Sequence, residues 1–453
     1  MARLSAIILL FFVFLHINNA CGENLLAKPE EKSRLITISE GIEMTLKDSR
    51  SIKTALPDKD MAFADSLLSR SVLLPRVNAT ATKSFFSYQP MSKIDDQRVN
   101  TAEKQPLSYG FDVYQTLFDF GKSLSGYKAS RETLKAREAN IESVKRLAVL
   151  EFVIAYFNFL EAEKMIVVAE KEVESVAAYL SDSEHLYEQG SAVKNDLLPA
   201  QVRLADAKQK LISARNDKEI AAARLNNILS LPLREKIEAQ DIKMKTPEFP
   251  DMEQAWDNAQ KLRPEITFFE DQIRSSVLNE KAKAVENFPT IFAGAGYSYT
   301  QNKYQVHEAN SYFELGAKLD FYDGGAAKAE LLKEQARQKQ LQEEKDKLVE
   351  DIKFEIEDSY LGLKNACEKT LVAKDAVTQA EENVRFNRVK YNAGNGTSTD
   401  VLEAITLETK ARTNYHSSDY ELKRNYAKLM YSMGIDLTLI YERMENENGN
   451  GKQ

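Results

Sequence analysis

The chain has 453 residues, a formal net charge of −8 and 29% charged residues. This acidic balance gives no support for nucleic-acid binding, so we expect no nucleic-acid partner. Glycine and proline occur only 17 and 11 times, and so few breakers in so long a chain favour long uninterrupted helices.

The N-terminal segment has the pattern of a secretory signal. Arg3 supplies the positive charge, and the apolar run Ile7–Ile17 is too short for a membrane-spanning helix, which needs about 20 residues. We predict a signal peptide at residues 1–20, with an uncleaved anchor as the alternative. Cys21 follows a stretch that resembles a lipobox, but Asn18 stands where leucine is usual, so lipidation of Cys21 stays open.

An internal duplication organises the rest of the chain. The segment 187–200 matches the segment 391–404, because tyrosine, glycine, aspartate, leucine and alanine recur at one constant offset. The motif 118–121 matches 322–325 at the same offset. We therefore predict two structurally similar repeats and a disordered tail. Their bounds are 21–245, 246–444 and 445–453.

Each repeat contains two stretches in which apolar and polar residues alternate. This alternation over about ten residues is typical of a tilted transmembrane β-strand with one apolar and one polar face. Phe292 interrupts the alternation in the second repeat. For any one strand, a soluble sheet with one wet face is the alternative. The predicted strands are 73–82, 108–118, 289–300 and 312–321.

Long helical patterns fill the space between the strands. The first runs from 122 to 189, about 100 Å at a rise of 1.5 Å per residue. Two shorter helices stacked end to end would match its length. A plain coiled-coil rod would explain the helices but not the strands. The predicted helices are 122–189, 196–231, 252–287, 325–392 and 398–434, with one more before the first strand.

The strands imply that several copies of the chain assemble. In lipid every backbone donor and acceptor must be paired, so a membrane sheet has to close on itself. Four strands are too few, since the smallest single-chain barrels have about eight. Closure therefore needs two, three or more copies, a number that the strands alone leave open.

Several motifs, taken in their order along the chain, resemble the TolC-like outer membrane efflux protein family. They are 117–121, 321–325, the prolines Pro75 and Pro289, 262–266 and 391–404. The resemblance implies an α+β, mainly α protomer and a homotrimer. Three copies would form a 12-strand β-barrel in outer-membrane lipid, continued by a 12-helix periplasmic α-barrel. A periplasmic adaptor and an inner-membrane pump are the implied partners.

The resemblance places the turns near Gly190 and Gly394 at the periplasmic end, where related channels close. Asp400 and Glu403 lie three residues apart and so share one helical face. Three copies would set a ring of carboxylates around a narrow opening, which favours cations. Asp196 is the first-repeat counterpart of Asp400. Helix capping is the alternative role for both aspartates.

The resemblance also identifies Tyr391 with a position that helps to latch the entrance. Family members that latch through a Tyr-Arg-Asp network carry an arginine where this chain has Gly396. The charged latch cannot form with the same donor. Arg385 and Arg388 are alternative donors, and the choice between them stays open.

Nothing in the sequence indicates catalysis. The histidines His16, His185, His307 and His416 have no metal-ligand spacing, and no nucleophile or phosphate-binding motif is present. We expect no enzyme activity and no cofactor. The leading hypothesis is an efflux duct for small toxic compounds or metal ions. The alternatives are a type I protein-secretion duct and a periplasmic coiled-coil structural protein.

Overall fold

The computed structural model describes residues 34–190, 194–244 and 247–450. The predicted signal peptide, Cys21 and the last three residues of the tail lie outside these ranges. The helices are α1 Ile38–Asp48, α2 Arg50–Ser71, α3 Lys122–Glu188, α4 Lys194–Ile228, α5 Met252–Leu262, α6 Pro264–Ala284, α7 Ala326–Asn392, α8 Ser398–Ser432 and α9 Leu437–Asn450. The strands are β1 Arg34–Ile36, β2 Arg76–Lys83, β3 Met91–Ile94, β4 Gln97–Asn100, β5 Leu107–Phe118, β6 Ile237–Ala239, β7 Thr290–Thr300 and β8 Ala309–Lys318.

Two long helices, α3 and α7, form the frame of the protomer. Each has 67 residues and is therefore about 100 Å long. Near the sheet α3 packs against α6, where Thr133 and Ser275 share a hydrogen bond of 2.9 Å. Farther along, α3 packs against α4 and α8, as the ion pair Lys218–Glu163 illustrates. Two shorter helices in succession thus accompany each long one.

The segment 252–287 forms two helices where the sequence predicted one. The helix α5 ends at Leu262, Arg263 is extended, and α6 begins with Pro264. Proline suits this first position because its missing N–H would be unpaired there in any residue. The Arg263 side chain is buried and pairs with Glu265 at 3.1 Å and Glu355 at 3.2 Å. The break is therefore fixed by proline and by a buried ion-pair network.

The C-terminal segment forms a helix that the sequence did not predict. The helix α9 includes residues 445–450, where the sequence indicated a disordered tail. Leu437 and Tyr441 are buried, and the Tyr441 ring lies 6.1 Å from that of Phe157. Tyr441 therefore packs the helix against α3.

In the described part of the chain, four strands form one antiparallel sheet in the order β2-β5-β7-β8. The register places most apolar residues of the four strands on one face, for example Val77, Val113, Ala295 and Phe313 in a single row. The adjacent row contains Asn78, Asp112, Gly296 and Tyr312 and faces the other way. We call these two surfaces the apolar face and the polar face. Strands β2 and β8 are the sheet edges.

The loop between β2 and β5 contains the hairpin β3–β4, in the region where the first repeat is longer. This hairpin is bound to the loop between β7 and β8, since Asn100 Nδ2 donates to the Tyr304 hydroxyl at 3.4 Å. No helix in the described ranges has the length and apolar character needed to cross a bilayer.

Candidate functional site at the helix turns

Two turns lie at the end of the helices remote from the sheet. The helix α7 ends at Asn392, and the N–H of Gly394 donates to Tyr391 O at 3.0 Å. Gly190 and Gly394 have φ of 73° and 75°, a left-handed conformation that glycine adopts without strain. Both glycines therefore act as turn formers.

Asp400 caps the helix that follows the second turn. The N–H of Asp400 donates to Thr397 Oγ1 at 3.2 Å, and the Asp400 carboxylate accepts the N–H of Thr397 at 3.0 Å. These reciprocal bonds are a capping box. The Thr397 N–H lowers the pKa of Asp400 below its usual range because it stabilises the charged form. Asp400 thus has a structural role, and its side chain is also exposed.

Glu403 and Asp196 lie close to the same turns. Glu403 is exposed on α8, past the capping position. Asp196 lies in the first turn of α4, where a carboxylate interacts favourably with the helix dipole. Its backbone oxygen accepts a hydrogen bond of 3.2 Å from Ser398 Oγ. The two turns are therefore in direct contact.

Tyr391 is buried between the long helices. Its ring lies 5.2 Å from the ring of Tyr179, and its hydroxyl donates to Ser183 Oγ at 3.2 Å. One helical turn earlier, Arg388 donates to Ser175 O at 2.8 Å. We name the contacts Tyr391–Ser183, Ser398–Asp196 and Arg388–Ser175 the tip lock. Together they bind the α7–α8 hairpin to the α3–α4 hairpin within one protomer.

The two candidate latch arginines have other partners in the protomer. Arg385 pairs with the Glu382 carboxylate, and Arg388 belongs to the tip lock. A Cβ at Gly396 would lie only 3.0 Å from Tyr391 N, closer than side chains normally approach. A side chain at position 396 would therefore require the adjacent backbone to shift by a few tenths of an ångström.

Sequence reasoning missed the partners of Tyr391. Tyr179 and Ser183 lie four residues apart on α3 and face the same way. Such spacing was visible, but Ser183 is 208 residues from Tyr391, so the sequence did not indicate the pairing.

The described residues contain no group of three or more histidine, cysteine, aspartate or glutamate side chains placed to hold a metal ion. Cys367 is a partly buried free thiol on α7. The chemistry of the turns is therefore that of carboxylates, hydroxyls and backbone groups.

An amphipathic sheet with two edges, joined to helices of about 100 Å, defines a protomer of an oligomeric membrane channel. The family model "Outer membrane efflux protein" matches residues 41–230 and 256–435. The chain belongs to this family, as its motifs predicted.

Three individual proteins illustrate the relationship. The pyoverdine export outer membrane protein OpmQ of Pseudomonas aeruginosa is 21% identical over 87% of this chain and 83% of its own. The alkaline protease secretion protein AprF of the same organism is 20% identical over 90% and 88%. The solved structure of the CmeC outer membrane channel of Campylobacter jejuni has a TM-score of 0.78 at 15% identity, covering 90% of this chain and 89% of that one.

Family membership confirms the predicted fold class and location. The protein is an outer-membrane channel protomer that extends into the periplasm, and channels of this family are trimers. Three sheets of four strands each make the 12-strand barrel. These channels are passive ducts, so the protein is not an enzyme.

Proposed function

We propose that this protein is the outer-membrane duct of a tripartite system that exports small toxic compounds or metal ions. An inner-membrane pump supplies the substrate, and a periplasmic adaptor joins the pump to the turns near Gly190 and Gly394. The observation that carries this proposal is the pair of exposed carboxylates, Asp400 and Glu403, at the remote end of the long helices.

The two carboxylates are suited to an entrance that passes cations. They share one face of α8, so each of three copies contributes two charges to the same opening. The lowered pKa of Asp400 keeps its charge at neutral pH. Rings of carboxylates attract cations and repel anions. This preference suits metal ions and positively charged toxic compounds.

The tip lock is proposed to hold the entrance closed at rest. The buried Tyr391 and the Ser398–Asp196 contact hold the two hairpins of a protomer together. Opening requires these contacts to break in each protomer. A docked adaptor can shift the equilibrium between the closed and the open arrangement only if it binds the open one more tightly.

Single-channel recording in planar bilayers tests the role of the carboxylates. The double variant Asp400→Asn with Glu403→Gln removes both charges, while the asparagine oxygen can still accept the Thr397 N–H. The expected result is a reduced preference for cations, measured as a shift of the reversal potential in a salt gradient. Glu442→Gln on α9 is the control, since it removes an exposed carboxylate far from the turns.

An unchanged reversal potential in the double variant would overturn the entrance assignment. The aspartate would then have only its capping role, and Glu403 would be an ordinary solvated residue. Asp196→Asn, recorded in the same way, shows whether the first turn also contributes charge to the opening.

Type I protein secretion is the second candidate function. The protease secretion protein AprF matches the chain about as well as the pyoverdine export protein OpmQ does. A strain that lacks this protein separates the two. Greater sensitivity to metal salts and toxic compounds with unchanged secreted proteins supports efflux, whereas the loss of a secreted protein with unchanged sensitivity supports secretion.

A further inference from the structure

The polar face of the sheet contains large aromatic side chains. Tyr114, Phe292 and Tyr312 all lie on this face according to the strand register. In a barrel whose apolar face meets lipid, the polar face lines the lumen. Large aromatic side chains directed into a duct would narrow it, so their arrangement matters for transport.

Glycines lie directly beneath two of these side chains, Phe292 and Tyr312. A Cβ at Gly296 would be 2.5 Å from Tyr312 Cε1, and a Cβ at Gly316 would be 2.4 Å from Phe292 Cζ. Gly296 is buried although it lies in an open sheet, because the Tyr312 ring covers it. Glu314 covers Gly294 in the same way, with Oε1 at 2.6 Å from the position of a Cβ.

The aromatic side chains therefore lie across the sheet rather than standing on it. Side chains on a strand normally project perpendicular to the sheet and fill the space above their own position. Here each ring occupies the volume that the side chain of the adjacent strand would fill. Aromatic packing over a cross-strand glycine is also a stabilising pairing in β-sheets. Only glycine, which has no side-chain carbon, leaves the space above the adjacent strand free for the ring.

We propose that Gly296 and Gly316 set the bore of the barrel by allowing Tyr312 and Phe292 to lie flat against its wall. Any side chain larger than hydrogen at either position displaces the ring toward the lumen. The trimer repeats the change three times around one lumen, so the free cross-section contracts from three sides. The bore determines the largest substrate that passes.

Polymer exclusion from the barrel side tests this inference. Polyethylene glycols of increasing mass are added to the barrel side of trimers in planar bilayers, and the smallest excluded polymer is recorded. Gly296→Val should shift the cutoff to smaller polymers. Ala295→Val places the same side chain on the apolar face of the same strand and should leave the cutoff unchanged.

The ring itself is tested by a second substitution. Tyr312→Ala added to Gly296→Val should restore the original cutoff, because it removes the displaced side chain. An unchanged cutoff in an assembled Gly296→Val trimer, or a failure of this rescue, would overturn the proposal. If Gly296→Val does not assemble, Gly316→Ala with its partner change Phe292→Ala provides the same comparison. Polymer entry from the barrel side does not depend on Asp400 or Glu403, so the entrance assignment can fail independently.

Discussion

At the scale of single residues, the Tyr391 hydroxyl is the contact of the tip lock that is simplest to remove. Tyr391→Phe keeps the ring against Tyr179 and deletes the bond to Ser183. A hydrogen bond of this kind contributes about 0.5–1.5 kcal/mol. Because the bond recurs in each protomer, we expect a higher leak conductance in the absence of adaptor, measured in planar bilayers.

Ser183→Ala provides the partner variant for this prediction. It removes the acceptor of the Tyr391 hydroxyl, so it should raise the leak to a similar extent. The double variant should leak little more than either single one, because both delete the same interaction. Fully additive effects, or no leak in either single variant, would contradict a latch built on this bond.

At the scale of elements, α9 packs against the body of the protomer through buried side chains. Tyr441 is completely buried, whereas Leu439 on the same helix is 66% exposed. Tyr441→Ala leaves a cavity against Phe157 and should lower the free energy of unfolding by about 3–5 kcal/mol, as is usual for aromatic core residues. Leu439→Ala should have little effect. Equal shifts in the denaturation midpoint would show that α9 does not pack as described.

The elements also show what the sequence can and cannot predict. The strands β7 and β8 were predicted within a few residues because alternation is a local pattern. The helix α9 was not predicted because its contact with the protomer depends on the burial of Tyr441 against a distant helix. Phe292 interrupts the alternation in β7 for a similar reason, because its ring covers Gly316 of the adjacent strand. Contacts between distant segments override a local pattern in both cases.

The same limit applies to the candidate site. The duplicated motif 391–404 and its turn glycine, Gly394, predicted that Asp400 and Glu403 lie near a turn. The tip lock was not predicted, because each of its contacts joins residues about two hundred positions apart. A carboxylate at a helix start can be recognised from the sequence, whereas contacts that join two hairpins cannot.

At the scale of the whole molecule, the two faces of the sheet determine how the trimer sits in the membrane. Phe313 lies near the middle of β8 on the apolar face and is 75% exposed in the protomer. An arginine on the lipid face of a barrel near the midplane costs about 2–4 kcal/mol. Phe313→Arg should therefore reduce the amount of trimer recovered from outer membranes.

Ser298→Arg is the matched variant, because Ser298 lies on the polar face of the neighbouring strand and is exposed. Its arginine would face water in the lumen, so assembly should remain close to that of the unmodified protein. The two variants add the same side chain to adjacent strands and place it on opposite faces of the sheet. If Ser298→Arg impaired assembly and Phe313→Arg did not, the faces would be reversed, and the glycines beneath Tyr312 and Phe292 would face lipid instead of the duct.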